Sequence, residues 1–238
     1  MKKFSIKDCI LFENDNYILM NKPPYVASLD ERDSTRDNML GLLREYCPEG
    51  RLCHRLDKET SGVLVAAKND EAYRNLSIQF ENREVSKVYH AVVGGVQNFN
   101  ETKVNWPIAV SGRGNVRIDT VEGKPSLTIF NTLEAYKSHT LVECLPYTGR
   151  MHQIRIHLAS LEAPIAADIL YGGKFPFLSD IKRKFNLKQQ TEEQALIKRV
   201  ALHARAIVFN DVNGEPIAAE ADYPKDIRAF VNQLRKNK

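Results

Sequence analysis

The chain has 238 residues, enough for one large domain or two small ones. With 43% hydrophobic and 27% charged residues it has the composition of an ordinary globular protein with material for a real core. No run approaches the length of a membrane span, and the net charge of +4 permits nucleic-acid binding without demanding it.

In chain order, strands are expected near residues 9–12 and 17–21, with Glu13-Asn14-Asp15-Asn16 as the turn between them. Residues 35–46 have helical spacing, with Met39, Leu42, Leu43 and Tyr46 on the apolar side. A strand over 62–67 follows, then a helix from Asp70 through Phe80 capped by Asn69. Residues 85–93 alternate as a strand, and further strands are expected near 115–119, 126–135 and 139–145. A helix over 152–161 and a strand near 203–209 are the last elements expected. Strands outnumber helices and short turns join several of them. The expectation is an α+β fold with a largely antiparallel sheet, in one domain over residues 1–238.

The opening MKKFSIKD has lysines but no apolar stretch of signal-peptide length. Cys9, Cys47, Cys53 and Cys144 form no CxxC pair and no metal spacing, so they read as reduced thiols of a cytoplasmic protein. Cys53 reads as a small buried hydrophobe.

Two segments carry the chemistry. Residues 54–62 read HRLDKETSG: Asp57 stands two residues after Arg55, then a Thr60-Ser61-Gly62 turn leads into a run of strand formers. A charged group at the mouth of a buried strand is a way to hold a reactive side chain rigidly. The plainer reading is a surface salt bridge beside a turn. Residues 147–158 read YTGRMHQIRIHL, with Arg150, His152, Gln153, Arg155 and His157 spaced among Ile154, Ile156 and Leu158. On a helix, Arg155 shares a side with His152, while Ile154, Leu158 and Leu161 face the core. Such a start suits phosphate or carboxylate binding, and the plainer alternative is a solvated basic face.

Together the segments resemble the HRLDxxTSG and TGRxHQIRxHLA signatures of the RluA-type pseudouridine synthases. Further pieces fall in that family's order: Asn21-Lys22-Pro23, the 87–94 strand with Tyr89, Pro164 to Asp168, Leu170-Tyr171-Gly172, and Leu202-His203-Ala204. The resemblance spans roughly residues 10–230. It implies a mixed, largely antiparallel sheet with a central active-site cleft and flanking helices. It implies an isomerase that converts uridine in ribosomal or transfer RNA to pseudouridine, with no metal or other cofactor. Asp57 matches the family's aspartate, Arg155 its ion-pair partner, and Tyr89 the tyrosine that stacks on uracil. Arg55 matches an arginine that contacts RNA, and His54, Arg150, His152 and Gln153 join it as expected RNA contacts. Leu202 matches a position lining the uracil pocket, and is equally readable as plain core.

Residues 174–205 hold eight Lys or Arg against three Asp or Glu, a local excess of five positive charges. The basic excursion, at about 174–200, is expected to meet RNA phosphates through Lys182, Arg183 and Lys184, unless it is only a solvated helical face. The chain departs from the family pattern where glycine usually follows Lys-Pro-x: Tyr25 stands there. Ala163 replaces a histidine, Ala167 a glycine, and Met151 a hydroxyl residue. The chain is expected to lack the small RNA-binding domain that many relatives carry at the N-terminus. A monomer without an obligatory protein partner or membrane contact is expected.

Rival readings fare worse. His54, His152 and His157 lack metal spacing, because residues five apart do not share a helical face and no carboxylate accompanies them. The likeness to a kinase HRDLxxxN loop fails: Leu56 and Asp57 are transposed and no DFG follows. A non-catalytic RNA-binding module on the same fold would be marked by loss of Asp57, Tyr89 or Arg155, and all three are present.

Overall fold

The computed structural model describes residues 5–29, 38–112, 114–183, 185–186 and 192–238. In chain order the strands and α-helices are β1 (Ile10–Glu13), β2 (Tyr17–Lys22), α1 (Met39–Tyr46), β3 (Arg51–Leu52), β4 (Ser61–Ala67), α2 (Asp70–Asn82), β5 (Ser86–Gly94), β6 (Thr102–Val104), β7 (Ile108–Val110), β8 (Val116–Ile118), β9 (Thr128–Ala135), β10 (His139–Pro146), α3 (Gln153–Ser160), α4 (Leu178–Ile181), β11 (Leu202–Asn210), β12 (Pro216–Glu220) and α5 (Lys225–Lys236). They divide into two compact units, Met1–Val88 with His203–Asp222, and Tyr89–Leu202 with Tyr223–Lys238. The pairings are mixed but mostly antiparallel, the α+β class expected.

In the first unit, Asn14 makes the turn between β1 and β2. Its side-chain oxygen accepts the Asn16 and Tyr17 N–H groups at 3.0 and 2.7 Å, an Asx-turn. Strand β2 pairs antiparallel with β4, from Tyr17 opposite Ala67 to Lys22 opposite Gly62. On its other side β4 runs parallel to β11, with Ser61 opposite His203 and Gly62 opposite Ala204. All seven residues of β4 are buried, which is why its sequence reads as an unbroken apolar run rather than an alternation. Helix α2 lays Ala72 and Leu76 against this sheet, and Asn69 caps it by accepting the Ala72 N–H at 2.9 Å. Helix α1 begins at Asn38, which accepts the Gly41 N–H at 2.9 Å; residues 35–37 of the expected helix lie outside the described residues.

The second unit has strands in the order β5-β10-β9-β6, all antiparallel, and a separate β7–β8 ribbon. Ala91, Val92, Val93, Phe130, Val142 and Cys144 join Ile154 and Leu158 of α3 in its core. Helix α5 closes that core with Ile227, Phe230, Val231 and Leu234, each no more than 2% exposed. Their i, i+3, i+4, i+7 spacing is a helical stripe that the expected elements do not include. Burying four such side chains contributes about 1.5–3 kcal/mol each before entropy is charged. The start of α5 is fastened by Arg199, a wholly buried side chain. Its Nε and Nη2 donate to Asp226 at 2.7 and 3.0 Å, and its Nη1 to the Val200 carbonyl at 3.2 Å. Burial works to raise the Asp226 carboxyl, but the Arg199 hydrogen bond and charge outweigh it and hold it below the usual range.

Strands β3, β6, β7 and β12 were not expected. The first three have two or three residues, too short for an alternation to register; β12 has five.

Candidate active site

Asp57 sits half-buried in the loop between β3 and β4, and the chain on both sides of it is tied down. On the N-terminal side, Ser28 Oγ donates to the Leu56 carbonyl at 2.7 Å and accepts the Leu56 N–H at 3.0 Å. On the C-terminal side, the Lys58 carbonyl accepts the Tyr25 N–H at 2.9 Å and Lys22 Nζ at 3.1 Å. The Thr60 N–H closes a turn onto the Asp57 carbonyl itself at 3.0 Å. Lys22 is wholly buried, and its ammonium also donates to the carbonyls of Pro23 and Val26 at 3.0 and 2.8 Å. A buried cation is tolerated only with such partners, and here it staples the segment after β2 to the residue following the aspartate. The burial of Lys22 has no local sequence signal.

The rest of the HRLDKETSG segment is structural. Thr60 and Ser61 are buried; Ser61 Oγ lies 2.9 Å from His203 Nδ1, and His203 Nε2 donates to the Ala221 carbonyl at 3.0 Å. Gly62 has φ 113°, and a Cβ there would lie 2.1 Å from the Ala204 carbonyl oxygen. Only glycine lets the two parallel strands close at this point. His54 accepts the Val65 N–H through Nε2 at 3.1 Å and packs on Phe80. Burial, with the Lys87 charge adding to it, pushes the His54 imidazole down to about 4. It is therefore a neutral structural residue, with its Nε2 committed inside the protein rather than offered to RNA as expected. Arg55 is exposed.

In the second unit, residues 148–153 brace themselves. Thr148 Oγ1 and the Arg150 N–H both donate to Gln153 Oε1, at 2.7 and 3.0 Å. Gln153 Nε2 donates to the Leu127 carbonyl and Thr128 Oγ1, each at 3.0 Å. Gln153, expected to face RNA, is instead buried and occupied in holding this loop. His157 is also fully buried: Thr128 Oγ1 lies 2.9 Å from Nδ1, and Nε2 lies 3.1 Å from the Trp106 carbonyl. Burial lowers its pKa, against the opposing Trp106 hydrogen bond. The solvated basic face considered for this helix does not exist. All residues from Gln153 to Leu158 are buried, because the helix is enclosed by the sheet and by the loop that follows it.

That loop supplies what sequence reasoning missed. Asp168, 1% exposed, accepts Arg155 Nε at 2.7 Å and Nη2 at 2.8 Å, a bidentate buried pair. The Arg155 guanidinium also lies over the Tyr171 ring, 5.1 Å from its centroid, and Tyr171 hydroxyl is 2.9 Å from His152 Nδ1. The Asp168 carbonyl accepts from the Tyr171 and Gly173 N–H groups at 3.1 and 2.8 Å, which coils the loop around the carboxylate. Ala167 takes φ 61°, the left-handed conformation that glycine adopts more cheaply. The available signal was an acid ending the apolar run Pro164 to Asp168, which has no business there without a buried cation to meet.

Tyr89 lies on β5 opposite Cys144, partly buried against the core of its unit. Leu202 is 4% exposed and belongs to that same core. Arg150, half-buried, donates through Nε to the Pro125 carbonyl at 3.3 Å. Lys182 and Arg183 are exposed after α4; Lys184 lies outside the described residues. The charge excess counted there needs correction as an RNA-facing surface. Arg199 is buried on Asp226, and Arg205 pairs with Glu220 at 2.9 Å. Among the described residues no three His, Cys, Asp or Glu side chains gather as a metal site. None of their helices is long and apolar enough to cross a membrane.

The family model described as RNA pseudouridylate synthase matches residues 16–160. The ribosomal large subunit pseudouridine synthase D of Neisseria meningitidis serogroup B is 34% identical over 236 residues, covering 95% of this chain and 61% of that protein. The synthase C of Salmonella typhi is 37% identical over 242 residues, covering 98% and 72%. The chain thus spans somewhat under two thirds of the length of the Neisseria relative. Among solved structures, human RNA pseudouridylate synthase domain containing 4 has the same fold, with a TM-score of 0.74 at 22% identity over 97% of this chain and 94% of that one. The signatures around Asp57 and Arg155, the extent of the family match and the relatives' identity all agree: this chain belongs to the RNA pseudouridylate synthase family.

Proposed function

We propose that the protein converts uridine in RNA to pseudouridine. The observation that carries this reading is an aspartate held on both sides by backbone hydrogen bonds, within a motif shared with the family. The reaction breaks the C1′–N1 glycosidic bond, turns the base, and forms a C1′–C5 bond; C5 then loses its proton and N1 gains one. It needs a carboxylate that acts as nucleophile or charge stabiliser at the reacting carbon, and rigid placement of that group lowers the barrier. Asp57 takes this part and Arg155 serves as the charge partner of that carboxylate. Tyr89 stacks on the uracil and helps move the C5 proton, with Leu202 at the apolar wall. Arg55, Arg150, His152, Lys182 and Arg183 position the RNA through its phosphates. No metal or organic cofactor is invoked. Large-subunit ribosomal RNA is the favoured substrate class, on the strength of the relatives' names. The enzyme acts as a monomer in the cytoplasm.

The test uses ribosomal RNA transcribed with uridine tritiated at C5, since every pseudouridine formed releases one tritium. The purified protein should release tritium, and Asp57→Asn should fold and bind RNA yet release none. Turnover by that variant within about tenfold of the parent would remove Asp57 from the chemistry, since loss of a nucleophile costs far more.

A further inference from the structure

Tyr25 stands where the family pattern has glycine, and its backbone keeps a glycine's conformation, φ 67°. A residue with a side chain stays there only when its surroundings over-determine it. Those surroundings are evident: Pro23 and Pro24 stiffen the approach, and the Tyr25 N–H is bound to the Lys58 carbonyl at 2.9 Å. Lys22 Nζ grips the carbonyls of Pro23, Val26 and Lys58. Tyr25 is thereby fixed, through one shared carbonyl, to the residue next after Asp57. Its side chain does not repay the strain by burial, for the residue is 54% exposed. An exposed aromatic on a backbone held this firmly, one hydrogen bond from the residue after Asp57, is an economical binding surface, because little backbone freedom is lost when a ligand settles on it.

We propose that Tyr25 is a stacking platform for a nucleobase of the substrate RNA adjoining the uridine delivered to Asp57. This rests on the pseudouridine synthase reading. A uridine that leaves its stack strips its neighbours of a stacking partner, and an aromatic ring replaces that partner whatever the base, because every base has a π-face. Tyr25 is in this sense a binding residue that acts on affinity, not on the chemical step.

The probe is an RNA hairpin carrying the uridine that the parent protein converts, with 2-aminopurine placed on either side of it in turn. Fluorescence is read on the Asp57→Asn background, where the RNA is not turned over. Tyr25→Gly should raise KM on the order of tenfold, with kcat little changed. It should also brighten the 2-aminopurine on one side, because that base has lost its stacking partner. The same variant should be at least as thermally stable as the parent, since glycine relieves the backbone strain; a merely structural role predicts the opposite. Tyr25→Phe should rescue both affinity and quenching. A KM for Tyr25→Gly within about twofold of the parent, with unaltered fluorescence on both sides, overturns the inference while leaving the functional reading intact. Equal losses in Phe and Gly variants overturn it too, by assigning the contact to the hydroxyl. If the parent forms no pseudouridine in total cellular RNA, the functional reading falls and takes this inference with it.

Discussion

Replacing Asp168 with alanine should damage stability and chemistry together, through Arg155. The carboxylate is 1% exposed and takes the Nε and Nη2 groups of a guanidinium that is itself 9% exposed. Removing it leaves that edge of a buried cation without an acceptor. Breaking one side of a buried pair costs about 3–5 kcal/mol. For a chain of this size each kcal/mol lowers the melting midpoint by about 2–4 °C, so Asp168→Ala should melt roughly 6–20 °C below the parent. Arg155→Met removes the cation instead, and strands the buried carboxylate at a similar cost. The double variant Asp168→Ala/Arg155→Met strands neither charge. It should therefore be less destabilised than the sum of the two, by about 2 kcal/mol or more. Melting of the four proteins by circular dichroism closes the cycle, and tritium release measured on the same samples should be lost in all three variants. Additive melting losses, or single losses under about 1 kcal/mol, would refute the reasoning, because they would mean the pair is already solvated.

Gly62→Ala should be among the most destructive small substitutions in the chain. It forces a Cβ to within 2.1 Å of the Ala204 carbonyl oxygen at φ 113°, a loss of about 3 kcal/mol or more, read as insolubility or early melting. His54 should remain neutral from pH 8 down to about 5 by NMR, because its folded pKa lies near 4. Since that value is depressed, its stabilising contribution is present above the unfolded value near 6.5 and is lost as pH falls from there toward 4. An imidazole midpoint near 6.5 in the folded protein would contradict its burial. Changing Lys182, Arg183 and Lys184 to alanine should weaken RNA binding and flatten its salt dependence by up to about one unit per lost phosphate contact. It should leave the modified position unaltered; an unchanged slope would make the segment a mere surface excursion.

The sequence alone determined the elements whose signals are local. Asn14 and Asn69 announced a turn and a helix start because their side chains reach only two or three residues along the chain. The apolar run of β4 and the stripe of α2 are legible locally, and α5 carries an equally legible stripe that the expected elements do not include. The two motifs located the candidate site. Tertiary structure alone decided what each motif residue does there. For Arg155, Gln153 and His157 the sequence left a solvated basic face open as the plainer alternative; a loop, a strand and a carboxylate from outside the helix enclose them. No local pattern marks Lys22 or Arg199 as buried cations; carbonyls and Asp226 meet them in the interior. Gly62 read as turn punctuation until Ala204, from the far end of the chain, came to lie against it. Side-chain period and capping depend on neighbours in sequence. Burial of a charge depends on partners brought from a distance, and no local pattern records which of them will arrive.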